Sequence, residues 1–156
     1  MPPTSEAIVK RLVWTFINLL RRGTKSFSAY ERRVLDAVTS ELDEGAKRRW
    51  MARIDAINLV QRLNGAREVN CYSKLGGRPS MDGASRIVDV EGEFKFATVV
   101  VGGATGTTNT VDVWLVDGVL FSLEFKEPTE HADPLLITEI RVDLTSFSRV
   151  LQPRVP

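Results

Sequence analysis

The sequence predicts an α+β domain in which an N-terminal three-helix segment (4–64) packs on a mostly antiparallel sheet of five to six strands (67–145). Three observations carry this reading. Apolar residues recur at three- and four-residue spacing as far as Gly65 and alternate with polar ones beyond it. Asp117-Gly118 stands between two apolar runs, a strong signal for a two-residue hairpin turn. No 20–50-residue repeat, low-complexity tract or linker divides the chain, so residues 1–156 read as one domain.

The first helix is expected from Thr4 or Ser5 to Arg22. Pro2 and Pro3 precede it, Thr4 or Ser5 caps it, Glu6 suits its positive end, and Gly23 ends it. Ile8, Leu12, Phe16 and Leu19 or Leu20 form its core stripe, widened by Val9, Val13 and Ile17, with Trp14 off its centre. A second helix begins at Ser28, where Ser28 and Glu31 have the spacing of a capping box. Its inward residues are Val34, Leu35, Val38 and Leu42, and it ends near Asp43-Glu44-Gly45. The third helix is predicted over Ala46–Leu63 and stopped by Asn64-Gly65. Trp50, Ile54, Ile57 and Val60 form its apolar face, with Arg48, Arg49, Arg53 and Arg62 mostly solvated.

Glu68–Tyr72 reads as the first strand, and Ser73–Ser85, with Gly76-Gly77, Arg78-Pro79 and Asp82-Gly83, as a loop. Ile87–Val90 and Phe94–Val101 are expected to form a hairpin turning at Glu91-Gly92, with Ile87, Phe94, Phe96 and Val100 on one face. Gly102–Asn109 is a Gly/Thr loop. The Thr110–Phe125 hairpin follows, and a two-residue turn pairs Val116 with Val119, Leu115 with Leu120, Trp114 with Phe121 and Val113 with Ser122. One face then carries Trp114, Val116, Val119, Phe121 and Leu123, and the other Val111, Val113, Leu115 and Leu120, ending in Ser122 and Glu124. Apolar residues on both faces place this hairpin at the centre of the sheet. After the polar loop Lys126–Pro134, Ile137–Leu144 forms the last strand, with Ile140, Val142 and Leu144 inward. The tail beyond reads as loosely ordered.

A formal net charge of +1 points to no class of partner, but its distribution is polar. Residues 1–66 hold 12 Lys/Arg against 7 Asp/Glu, and residues 67–156 hold 9 against 13, giving +5 and −4. The single cysteine, Cys71, excludes an internal disulfide and suits a reducing compartment. The most apolar run near the N-terminus, Leu12–Leu20, is interrupted by Thr15 and Asn18 and falls far short of the about 20 residues a membrane span needs. Arg21-Arg22 follow that run, whereas a secretory signal has its basic residues in front. The expected location is the cytoplasm.

Candidates for chemistry are few. Gly102-Gly103-Ala104-Thr105-Gly106-Thr107 has the glycines of a phosphate cradle but opens a strand, not a helix, and lacks the adjoining lysine, so it reads as a hairpin connection. His131, the only histidine, lies among Glu127, Glu130 and Asp133, but at no EF-hand or zinc spacing. Cys71 reads as a strand residue rather than a nucleophile. No catalytic residue, metal or cofactor is assigned. Lys47, Arg48, Arg49 and Arg53 beside Trp50 have the residue types of a phosphate-binding patch, diluted by Asp43, Glu44 and Asp55 into an ordinary solvated face. The first helix, with basic ends and an apolar middle, has features of a membrane-surface helix, but its wide stripe suits helix packing equally well. The acidic groups of the strand half, Asp82, Glu91, Glu93, Glu124, Glu127, Glu130 and Asp133, either serve solubility or complement a basic partner.

Val116-Asp117-Gly118-Val119-Leu120-Phe121-Ser122-Leu123-Glu124-Phe125, after a helical half and before an acidic Pro-containing loop, resembles a group of small bacterial proteins. Some of these are immunity proteins of contact-dependent or other polymorphic toxin systems. The resemblance implies a cytoplasmic, non-enzymatic protein that binds a cognate toxin domain and blocks its active site. Glu91, Glu93, Glu124, Glu127, Glu130, His131 and Asp133 are then the expected contact residues, with neither membrane nor nucleic acid as partner. The alternative expectation is a small enzyme or ligand-binding domain with a pocket between helices and sheet.

Overall fold

The computed structural model describes residues 5–6, 8–10, 23–75, 78–80 and 86–145. Within them the α+β class holds: helices lie on an antiparallel sheet whose main path has six strands. The three-helix arrangement requires correction. Residues 5–6 and 8–10 are helical, as the first predicted helix requires, but Val9 is 56% exposed and does not widen a core stripe. The rest of that predicted helix lies outside the described residues, as do Asp82 and the tail beyond Thr145.

Helix α1 (Ala29–Glu41) starts on the predicted capping box. The Ser28 amide donates to Glu31 Oε2 at 2.8 Å, and the Glu31 amide donates to Ser28 Oγ at 3.2 Å. Helix α2 (Glu44–Ala56) is capped by Asp43, which accepts the Ala46 amide at 2.8 Å. Gly45 therefore belongs to the first turn of α2 and is not a stop. The third predicted helix ends seven residues early, because Asn58 pairs with the Lys74 backbone through both ends of its side-chain amide. Leu59–Leu63 then becomes strand β1, and Asn64-Gly65-Ala66, all at positive φ, form a hairpin turn rather than a helix stop.

Strand β2 spans Glu68–Leu75 and β3 Arg78–Ser80, so part of the predicted 73–85 loop is sheet. The remaining strands are β4 (Glu93–Gly103), β5 (Thr108–Val116), β6 (Val119–Phe125) and β7 (Ile137–Leu144), in the order β1-β2-β6-β5-β4-β7 with β3 beside β2. The β5–β6 hairpin is central, as expected. Its turn has positive φ at both Asp117 (49°) and Gly118 (78°), the geometry that matches the twist of paired strands.

Its register differs from the prediction beyond the second pair. Val116 faces Val119 and Leu115 faces Leu120, but Trp114 faces Ser122 and Val113 faces Leu123. Phe121 is the extra residue of a β-bulge, which changes the phase of everything after it. Leu123 and Phe125 therefore join Val111, Val113, Leu115 and Leu120 in the core under the helices, while Phe121 and Val116 pack with Tyr72 on the other face. Trp114 is only partly buried. A second bulge at Phe96 does the same in β4, turning Val99 and Val101 inward in place of Val100. Ile87–Val90 is not a strand. It docks on the turn, with the Ile87 amide donating to Gly118 O at 2.8 Å and the Gly92 amide to Asp117 Oδ1 at 2.7 Å.

Two of the four arginines read as solvated are structural. Arg53 is fully buried and donates to Leu120 O, Cys71 O and Ser73 Oγ at 2.8–3.2 Å, tying α2 to β6 and β2. Burial pushes its pKa down, with the Cys71 thiol opposing. Arg62, half-buried, meets the buried Glu31 carboxylate at 2.6 Å and joins β1 to α1. Trp50 stacks on Phe96 (5.7 Å) in the centre of the core.

Candidate functional site

The two ends of the sheet carry different chemistry. At one end lie the Asp117-Gly118 turn and Glu91-Gly92. At the other lie the Gly/Thr turn between β4 and β5, the 126–136 connection and the start of α1. The seven residues of β6 separate them, roughly 20 Å at strand rise. The predicted contact set is therefore divided. Glu91 and Glu93 sit at the turn end, and Glu127, Glu130, His131 and Asp133 at the other. Glu124 stands on the sheet face away from the helices, in a row across neighbouring strands with Glu68 and Asp112. Lys95 (3.6 Å) and Thr98 (3.0 Å) contact Asp112 in that row.

The 126–136 connection is held in place by backbone bonds to a turn far from it in sequence. The amides of Thr129 and Glu130 both donate to Gly65 O (3.0 and 3.1 Å), and Thr129 Oγ1 donates to Ala66 O at 2.8 Å. The Asn109 side chain pairs with both the amide and the carbonyl of Glu127. Asp133 Oδ1 accepts the Leu135 amide at 2.9 Å and so caps the 3₁₀ turn Pro134–Leu136. Leu136 O in turn accepts the Ala104 amide, fastening this connection to the Gly/Thr turn.

Between these segments opens a cleft of about 240 Å³. Tyr30 of α1, Gly103 and Thr107 of the Gly/Thr turn, Asn109, Glu127 and Asp133 line it. Burial pushes the Tyr30 phenol up in pKa, against a hydrogen bond from the Asn109 side chain, so the ring presents a neutral hydroxyl. Leu136, 51% exposed, borders the cleft, and Leu135 beside it is 88% exposed. Carboxylates, neutral hydroxyls and bare leucines in one place suit a cationic group carried on an apolar surface.

The remaining candidates resolve differently. His131 is exposed, does not line the cleft, and lies 3.3 Å from Glu130. Among the described residues no three His, Cys, Asp or Glu side chains gather as metal ligands would. Cys71 is fully buried, and burial pushes its thiol up to about 12, against the Arg53 charge, so the thiolate that a nucleophile needs does not form near neutrality. Arg48 is exposed and Arg49 partly so on α2, away from the cleft.

Sequence reasoning found the acidic connection but missed Tyr30 and Asn109, because the cleft joins three segments distant in the chain. It also missed a polar row on the second sheet face, where Gln61, Asn70, Ser122 and Trp114 follow one another across β1, β2, β6 and β5. Gln61 Oε1, Asn70 Oδ1, Ser122 Oγ and Trp114 Nε1 are buried without a hydrogen-bond partner among the described residues. Comparison with family models, curated proteins and solved structures gives no significant match.

Proposed function

We propose that this chain is a cytoplasmic inhibitor of the immunity kind, without enzymatic activity of its own, that binds a basic toxin domain and blocks its active site. The observation that carries the reading is the juxtaposition of the 240 Å³ cleft, its Glu127 and Asp133 carboxylates, and the exposed Leu135–Leu136 pair. Exposed leucines ringed by charge are the composition of a contact patch, in which apolar anchors supply affinity and rim charges supply speed and selectivity. The backbone bonds that fix the 126–136 connection preorganise the patch, which lowers the entropy lost on binding. The resemblance of the Val116–Phe125 hairpin to toxin-system immunity proteins supplies the class of partner. No described helix is long and apolar enough to cross a membrane.

The test is co-purification with the product of the adjacent reading frame. Wild type and an Arg48→Glu/Arg49→Glu variant retain it, while a Leu135→Asp variant loses it with unchanged thermal unfolding. Loss confined to the helix variant refutes the assignment. The cleft also favours a second reading, a pocket for a small cationic ligand, since it lies between α1 and the sheet. A bound metabolite in native mass spectra, with no captured protein, would favour that reading instead.

A further inference from the structure

The two edges of the sheet are not equivalent. The outer edge of β1 is occupied by Thr24, whose amide donates to Val60 O at 2.9 Å and whose carbonyl accepts the Val60 amide at 2.7 Å. The outer edge of β7 pairs with no strand among the described residues. A strand edge with no neighbouring strand among the described residues is a template for another strand, and proteins usually cover or disrupt it.

The side chains of β7 show which strand it suits. Ile140 and Val142 pair with the buried Val101 and Val99, lie on the helix side, and are only half covered. Glu139 and Arg141 pair with Gly102 and Val100 on the opposite side, 70% and 67% exposed for Arg141 and Glu139, with Arg141 Nε 3.8 Å from Glu139 Oε1. We infer that β7 pairs antiparallel with β7 of a second copy of this chain, about a two-fold axis through Ile140.

Two-fold pairing sets residue i against j and j against i. With Ile140 on the axis, Glu139 faces the partner's Arg141, and Arg141 faces the partner's Glu139. Ile140 meets the partner's Ile140, covering the apolar flank that the edge leaves half open. Neighbouring registers are worse. An axis through Glu139 opposes two glutamates, and one through Arg141 opposes two arginines while setting Glu139 against the partner's Asp143, and like charges directly opposite destabilise a strand pair. An axis through Val142 restores opposite charges, Arg141 against the partner's Asp143, but leaves Ile137, Thr138 and Glu139 without a partner in the facing strand. Of these registers, the Ile140 one alone pairs Ile137–Asp143 of both strands with opposite charges matched. The same β4–β7 sheet then continues across the axis.

The experiment is the molar mass of the full chain by light scattering across a concentration series, with charge-swap variants. Wild type gives twice the chain mass. E139R and R141E, both on exposed positions, each raise the dimer dissociation constant roughly tenfold or more, by placing like charges opposite each other. The double variant E139R/R141E restores the dimer, since opposite charges face again. On a Cys71→Ala background, I140C cross-links two copies on oxidation and V142C does not. A wild-type mass of one chain at every concentration overturns the inference. So does a dimer indifferent to both single swaps, or cross-linking through V142C in place of I140C.

Discussion

Replacing Gly118 by Ala tests how the central hairpin is built, because two separate costs meet there and a control divides them. Gly118 has φ +78°, where an L side chain costs about 1–2 kcal/mol. A Cβ added there would also stand 1.9 Å from Val88 O and 3.1 Å from Val88 C, both backbone atoms with no flexible end to yield. Real Cβ contacts essentially never fall under 3.0 Å, so the 86–92 segment must retreat by an ångström or more. That movement breaks the Ile87 amide bond to Gly118 O, about 1 kcal/mol, and loosens the burial of Ile87 and Val88, each about 1.5–3 kcal/mol if fully lost. The expected cost of Gly118→Ala is therefore about 3–5 kcal/mol. Gly106 has nearly the same φ, +77°, but nothing within 4 Å of its Cβ position, so Gly106→Ala carries only the conformational part, about 1–2 kcal/mol. Urea unfolding of both variants, with equal m values, measures the difference. A gap below about 1 kcal/mol would refute the docking of 86–92 on the turn.

Three further outcomes follow from the buried polar groups. Arg53→Met keeps the apolar stem but removes the donors to Leu120 O, Cys71 O and Ser73 Oγ, and should cost about 2–4 kcal/mol in the same assay; a loss under about 1 kcal/mol would mean that the tie is not structural. Ser122→Ala removes a buried hydroxyl without a hydrogen-bond partner among the described residues and should be neutral or stabilising by up to about 1 kcal/mol. Cys71 resists a thiol reagent at neutral pH until the protein unfolds. Because its thiol rises from 9.0 in the unfolded chain to about 12 on folding, the neutral-thiol contribution is complete below pH 9 and is lost as pH climbs toward 12, at up to about 1.4 kcal/mol per unit. Cys71→Ala should flatten that alkaline decline, and an unchanged slope would contradict the burial assigned to it.

Local chemistry was legible in the sequence wherever one residue type has one conformational use. Ser28 and Glu31 cap α1, Asp117-Gly118 makes the hairpin turn, and the alternation in Ile137–Leu144 makes β7. The bulges were not legible. Phe96 and Phe121 are apolar like their neighbours, and the one-residue change of phase is decided by packing across the strands. β1 was hidden because Val60 continues the helical spacing of Trp50, Ile54 and Ile57, and the chain is diverted only by Asn58 bonding to the distant Lys74. Arg53 looked solvated because burial of a guanidinium depends on carbonyls supplied 67 residues away. Of the site, the carboxylates of the 126–136 connection were visible as a charge cluster. Their division from Glu91 and Glu93 follows from strand topology, and the Tyr30 wall of the cleft from helix packing.

The most direct measurement of the central claim is the association rate with the captured partner at low and high salt, for wild type and for Glu127→Lys/Glu130→Lys. Both carboxylates are exposed, Glu127 pairs only loosely with Arg67 at 3.7 Å, and folding should change little on reversal. Rim charges act mainly on encounter, and salt screens them over about 8–10 Å at physiological strength. The account predicts that the variant associates about tenfold or more slowly at low salt and that the two rates converge at high salt. Equal rates at low salt, or slowing only in the Arg48→Glu/Arg49→Glu variant, would contradict it.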